Sequence, residues 1–68
     1  MANARAEAHF VASGLPDALR PAVSQEAVYT MNCTNMRFSD AVHMACQGAK
    51  RGEWASPVAK LLAAARGW

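Results

Sequence analysis

The chain has few large side chains. Aromatic residues make up only 7% of its 68 residues, and alanine supplies much of the 53% that is hydrophobic. A domain of this length buries only roughly 60% of its unfolded surface, and alanine adds little apolar area per residue. We therefore expect a thin core that is stabilised when a second surface, from another copy or from a partner protein, covers it.

Other scarcities exclude whole classes of protein. No apolar run approaches the ~20 residues that a transmembrane helix needs. Residues 1–15 mix charged side chains with alanine, where a signal peptide would have a continuous apolar segment. We therefore expect a cytoplasmic protein with no membrane contact, in which Cys33 and Cys46 are reduced thiols. The net charge of +2 is too small to indicate nucleic-acid binding by itself.

The clearest positive signal is a central helix over residues 39–51. Small and apolar residues recur on one face from Phe38 to Ala49 at the 3.6-residue spacing of a helix. We predict Ser39 as its N-cap and Gly52 as the left-handed residue that follows it. Because that face is mostly alanine, with Gly48 beside it, we expect a neighbouring backbone to approach closely. The last helix is the expected neighbour, and the N-terminal helix is expected to close the bundle.

Three further helices are predicted over residues 3–13, 21–32 and 57–66. The last has the clearest start, because Ser56 suits the N-cap and Pro57 suits the first helical position. Residues 27–31 also favour a strand, but no second strand is available for pairing, so we prefer a helix. The sequence therefore predicts a single all-α domain, a small bundle of three to four short helices.

The first and last helices each carry an apolar stripe that we expect to be buried. Gly14 closes the first helix, and Gly67 closes the last one. The two stripes contain these residues: Ala4, Ala8, Val11, Ala12 and Leu15 in the first helix, with Phe10 and Ala6 at the edge of the stripe, and Val58, Leu61, Leu62, Ala65 and Trp68 in the last.

Histidine and cysteine residues raise the alternative of a metal-binding protein. His43 and Cys46 are three residues apart on one helix, and Cys33 and His9 would complete four nitrogen and sulfur ligands, the donors that zinc prefers. Strong zinc signatures contain two closely spaced pairs of ligands, whereas this chain contains one. A cysteine on an apolar helix face also behaves as a small hydrophobic residue. We therefore predict no metal and no other cofactor.

Residues 31–36, with the sequence MNCTNM, resemble the MxCxxC loop of heavy-metal chaperone domains. Met36 replaces the second cysteine of that motif. In that family the loop follows the first strand near the N-terminus, whereas about thirty residues precede it here. The copper site that the resemblance implies is therefore not carried over to this chain.

No catalytic arrangement is evident. Asp40, His43 and Cys46 are spaced by three on one helix, and each step rotates the side chain by about 60°, so the three cannot converge on one substrate atom. The chain contains no glycine-rich phosphate loop and no GxSxG motif. We predict that the protein is not an enzyme.

A small helical DNA-binding regulator is the main alternative function. Several cations lie in the C-terminal half, but the central helix begins with Asp40, which would repel phosphate, and the last helix begins with apolar residues. The cations are also suited to helix C-termini. They are Arg37, Lys50, Arg51, Lys60 and Arg66.

Protein binding is the function that the sequence favours. Trp54, Trp68, Tyr29 and Arg66 are of the residue types that dominate interface energetics, and the two tryptophans lie in a short connection and at the last position. The alternatives are that Trp54 packs over residues 56–62 and that Trp68 fills a groove beside the central helix. We predict a small cytoplasmic inhibitor, adaptor or homodimerising regulator, of the kind that phages and mobile elements encode.

Overall fold

Four α-helices form the fold. The computed structural model describes all residues from Met1 to Trp68 and contains no strand. The elements are α1 (Ala4–Ser13), a short 3-10 turn (Asp17–Leu19), α2 (Arg20–Cys33), α3 (Phe38–Lys50) and α4 (Pro57–Ala64). The predicted all-α bundle is confirmed, and residues 27–31 are helical. None of the four helices is both long enough and apolar enough to span a bilayer.

The predicted signals at Ser56 and Gly52 are confirmed, whereas the one at Ser39 is not. Ser56 caps α4, accepting a hydrogen bond from the Ala59 N–H at 3.2 Å, and Gly52 adopts the predicted left-handed conformation with φ of +70°. The prediction that Ser39 caps α3 is wrong. The helix begins one residue earlier, after Arg37 in an extended conformation, and Ser39 is buried in its first turn. Its small side chain is used to fill space rather than to cap.

The core lies mainly between α1, α2 and α3, and it also includes Leu19 of the 3-10 turn and Ala63 of α4. Its largest fully buried side chains are Phe10, Leu19, Val23 and Val42, and alanines fill most of the remaining space. Helix α3 packs on both α1 and α2, and α4 packs on α2. The expected contact of α3 with the last helix is therefore wrong, since α4 lies on the neighbouring helix instead.

A buried carboxylate fixes the position of α4. Glu26 of α2 is 7% exposed, and both of its oxygens accept hydrogen bonds from the Ala55 N–H, at 3.1 and 3.0 Å, while Oε1 also accepts from the Ser56 N–H at 2.9 Å. These N–H groups lie at the positive end of α4, where a negative charge is favourable. Glu26 therefore holds the beginning of α4 against α2.

The backbone approaches Gly48 as closely as the small face of α3 suggests. A Cβ at this position would lie 2.8 Å from the Glu53 carbonyl oxygen, and the Glu53 N–H donates to the Gly48 carbonyl at 2.8 Å. The close approach was predicted, but its source is the connection that follows α3 rather than another helix.

An ion pair joins α1 to α2. The Arg20 guanidinium donates to both carboxylate oxygens of Glu7 and lies 4.6 Å from the centre of the Phe10 ring. The hydrogen bond from Arg20, followed by one from the amino group of Met1, lowers the pKa of Glu7 to about 2. Arg20 thus covers the largest core side chain while it pairs with a charge on the facing helix.

The predicted buried face of α1 is displaced around the helix. Ala6 and Phe10, which lie at the edge of the predicted stripe, are the buried residues, whereas Val11 is 63% exposed. Alanine occurs on most sides of this helix, so apolar periodicity fits more than one face. The bulk of Phe10 decides which face enters the core.

Candidate functional site

Helix α4 packs through alanine and leaves its larger side chains outside. Ala59 and Ala63 are fully buried, whereas the predicted buried stripe faces solvent, so that prediction is wrong. Small side chains let α4 approach α2 closely, so the larger side chains of α4 lie on its solvent-exposed face. The exposed residues, called here the α4 surface, are Val58 (51% exposed), Leu61 (72%), Leu62 (36%) and Trp68 (46%).

The end of α4 holds Trp68 in place. Gly67 has a φ of +84°, and the Trp68 N–H donates to the Ala63 carbonyl at 2.9 Å. This is the hydrogen bond of a Schellman cap, in which the chain folds back over the last helical turn. The predicted closure at Gly67 is confirmed, and Trp68 is attached to the helix end by a defined backbone hydrogen bond.

The charged side chains of α4 and of the turn that follows it are both positive. Lys60 and Arg66 are the only charged residues between Trp54 and Trp68, and both are exposed. Neither takes part in any of the four ion pairs of the chain. The α4 segment therefore combines an apolar outer face with two cations that pair with no carboxylate of the chain.

The other predicted partner-binding residues differ in their accessibility. Tyr29 is 40% exposed on α2, the helix on which α4 packs, and Arg66 is exposed. Trp54 is partly buried against the core, and its indole N–H is buried without a hydrogen-bond partner. Of the two tryptophans, Trp68 is thus the one available to a partner.

The metal-ligand candidates are only partly brought together. The imidazole rings of His9 and His43 lie 4.8 Å apart between their centroids, with a 51° angle between their planes. Cys46 lines the same pocket, whereas Cys33 is exposed in the last turn of α2 and does not. No three side chains of His, Cys, Asp or Glu are placed to hold one metal ion. Of the candidates Cys33, His43 and Cys46, the last two therefore line one pocket, and Cys33 lies outside it.

The helical structure of residues 31–33 also bears on the resemblance to heavy-metal chaperones. These residues form the last turn of α2, and no strand precedes them. The first half of the MxCxxC-like segment is therefore helical and not a loop.

A pocket of about 140 Å³, called here the histidine pocket, is lined by residues of α1 and α3. Burial raises the pKa of the Cys46 thiol, so the thiol stays protonated at neutral pH. No carboxylate lines the pocket. Its residues are His9, Ala12, Ser13, His43, Cys46, Gln47 and Lys50.

No protein-family model, curated protein or solved structure matches this chain. Its function therefore has to be inferred from the chemistry of its own surfaces. The α4 surface and the histidine pocket are the two features that combine exposure with a defined chemical character.

Proposed function

We propose that this chain is a small, non-enzymatic, cytoplasmic protein-binding module, an inhibitor or adaptor, that contacts its partner through the α4 surface. The observation that carries the proposal is the orientation of α4. In a chain poor in large side chains, Val58, Leu61, Leu62 and Trp68 all remain at least a third exposed while alanines are buried.

Grouping distinguishes these residues from ordinary exposed apolar side chains. Single exposed apolar residues are normal in soluble proteins, whereas several on one face are typical of interaction sites. Complete burial of a valine or leucine side chain is worth about 1.5–3 kcal/mol, and tryptophan is enriched among the residues that dominate binding. The α4 surface thus offers a partner the apolar area that the core of this chain does not use.

Charge indicates the chemistry of the partner. A symmetric dimer through the α4 surface would place the same patch on both subunits and bring Arg66, which is next to Leu62 around the helix, near its own copy, with Lys60 further round the helix. No acidic residue between Trp54 and Trp68 would compensate them. A partner segment that combines apolar residues with Asp or Glu, such as an amphipathic helix with an acidic border, fits better. The proposal therefore commits to a different protein rather than to a second copy.

Site-specific photo-crosslinking tests this proposal. A photoreactive residue replaces Leu61, and the matched control replaces Val11, an apolar residue of α1 with similar exposure. In extracts of the producing cells, we expect position 61 but not position 11 to crosslink to one discrete protein. Mass spectrometry should place the crosslink in an apolar segment bordered by acidic residues, and an excess of unmodified chain should compete.

Three results would contradict the proposal. Equal crosslinking at positions 61 and 11 would show that the α4 surface is not special. A crosslinked product of twice the chain mass would make a second copy the occupant. Binding to vesicles of anionic lipid, or to duplex DNA with the steep salt dependence of phosphate contacts, would assign Lys60 and Arg66 to a membrane or to the alternative DNA-binding function.

A further inference from the structure

The only two histidines of the chain meet in space although they are distant in sequence. His9 is on α1 and His43 is on α3, their ring centroids are 4.8 Å apart, and both residues line the histidine pocket. His9 is half-buried and His43 is exposed, so both can be reached from solvent. Neither imidazole has a hydrogen-bond partner within the chain, which leaves the ring nitrogens available to a ligand.

The distance between the rings suits a shared metal ion. Zinc binds an imidazole nitrogen at about 2.0–2.1 Å, so the ion lies about 3.2 Å from the ring centroid along the lone-pair axis. For N–metal–N angles of about 90–110°, the two ring centroids are then about 4.5–5.2 Å apart. The observed separation of 4.8 Å between the ring centroids lies within this range.

The other pocket residues indicate the class of metal. Calcium and magnesium prefer carboxylate and carbonyl oxygens, and no carboxylate lines the pocket. Imidazole nitrogen suits zinc, copper and nickel. No third side chain of His, Cys, Asp or Glu converges with the two rings, so water or an outside ligand would complete the coordination.

We propose that His9 and His43 form a two-imidazole binding site for a divalent transition-metal ion of this class. The site is open, with two protein ligands, and it joins α1 to α3. It is independent of the α4 surface, and its failure would leave the proposed protein-binding function untouched.

Calorimetric titration of the full chain with Zn²⁺ tests the site. We expect one ion per chain, with His9→Ala and His43→Ala each weakening binding by about tenfold or more, since even loss of an outer-shell partner costs that much. Cys33→Ser, which removes a thiol outside the pocket, should bind as the original chain does. Zn²⁺ should also raise the melting temperature of the original chain but not that of either histidine variant. Circular dichroism of the metal-free variants confirms that they are folded.

Two further measurements separate this site from its rivals. Lys50 lines the pocket, so Lys50→Ala should strengthen Zn²⁺ binding by a small factor, on the order of twofold, because it removes a like charge. Titration with inorganic phosphate should show no binding. With Co²⁺, no thiolate-to-metal absorption band should appear.

The proposal would be overturned by three results. Zn²⁺ binding that is absent from the original chain, or that is as tight in both histidine variants as in the original chain, would exclude the imidazole pair. Phosphate binding that is lost in Lys50→Ala would make the pocket an anion site. A thiolate band with Co²⁺ that disappears in Cys46→Ser would make Cys46 a ligand and contradict a site of two imidazoles.

Discussion

Helices α1 and α4 use their large side chains in opposite ways. In α1, Phe10 is 1% exposed and enters the core that α1, α2 and α3 share. In α4, Ala59 and Ala63 are buried while Leu61 is 72% exposed. Both helices are rich in alanine and both pack closely on a neighbour. The difference shows that α1 places its largest side chain in the core. Helix α4, in contrast, packs on α2 through small residues and exposes its large apolar side chains.

The largest expected effect is on unfolding of the core. Phe10→Ala should lower the free energy of unfolding by about 3–5 kcal/mol, because it removes a buried ring and leaves a cavity. Leu61→Ala, at an exposed position, should change it by no more than about 0.5 kcal/mol. Urea unfolding followed by circular dichroism measures both. Equal destabilisation would abolish the contrast between the two regions.

The attachment of α4 to α2 should depend on Glu26. Glu26→Ala leaves the Ala55 and Ser56 N–H groups without their acceptor, and we expect a loss of about 2–3 kcal/mol in the free energy of unfolding, since hydrogen bonds to charged groups contribute this much. Glu53→Ala is the matched control, because its exposed pair with Arg51 contributes about 0–1 kcal/mol. If the two variants proved equally stable, Glu26 would not hold α4.

The close approach at Gly48 gives a third, smaller effect. An alanine here should destabilise the protein by about 1–3 kcal/mol through its clash with the Glu53 carbonyl. Helix propensity alone would predict that this substitution raises the free energy of unfolding by about 1 kcal/mol. Gln47→Ala, at the adjacent exposed position, should be close to neutral. Thermal unfolding of both variants decides the sign, and a more stable Gly48→Ala variant would disprove the close contact.

The smallest effect concerns the Glu7–Arg20 pair as a function of pH. Its hydrogen bonds lower the pKa of Glu7 from the ordinary 4.5 to about 2, so the pair stabilises the fold fully above about pH 4.5. This contribution should be lost as the pH falls from there towards 2, when the carboxylate is protonated in the folded state. Glu7→Gln should be less sensitive to acid across that interval, and Glu53→Gln should retain the original sensitivity. Unfolding midpoints in urea at successive pH values measure the difference.

Helix ends were predictable from sequence because they depend on neighbouring residues. The Ser56-Pro57 start and the glycines at 14, 52 and 67 act within a single turn of chain. The exception is Ser39, which is buried inside the first turn of α3 and does not precede it.

The buried faces of the helices and the contacts between distant residues were harder to predict from the sequence. In α1, alanines on two sides of the helix let apolar periodicity fit more than one face. In α4 the periodicity selected the face with the large side chains, whereas the face that packs on α2 is made of Ala59 and Ala63, so both predicted stripes were wrong. The sequence contains no local sign that Glu26 binds the start of α4, because the partners lie about thirty residues apart. His9 and His43 were both candidates, but only the approach of α1 to α3 pairs them.

The orientation of α4 is tested most directly by placing a charge on each of its faces. Urea unfolding of Leu61→Asp and of Ala63→Asp, measured side by side, compares the outer face with the buried one. We expect Leu61→Asp to stay within about 0.5 kcal/mol of the original chain, and Ala63→Asp to lose several kcal/mol or fail to fold, since it buries an unpaired charge. The reverse order would show that the large side chains of α4 face inward, and the α4 surface could not then be a binding site.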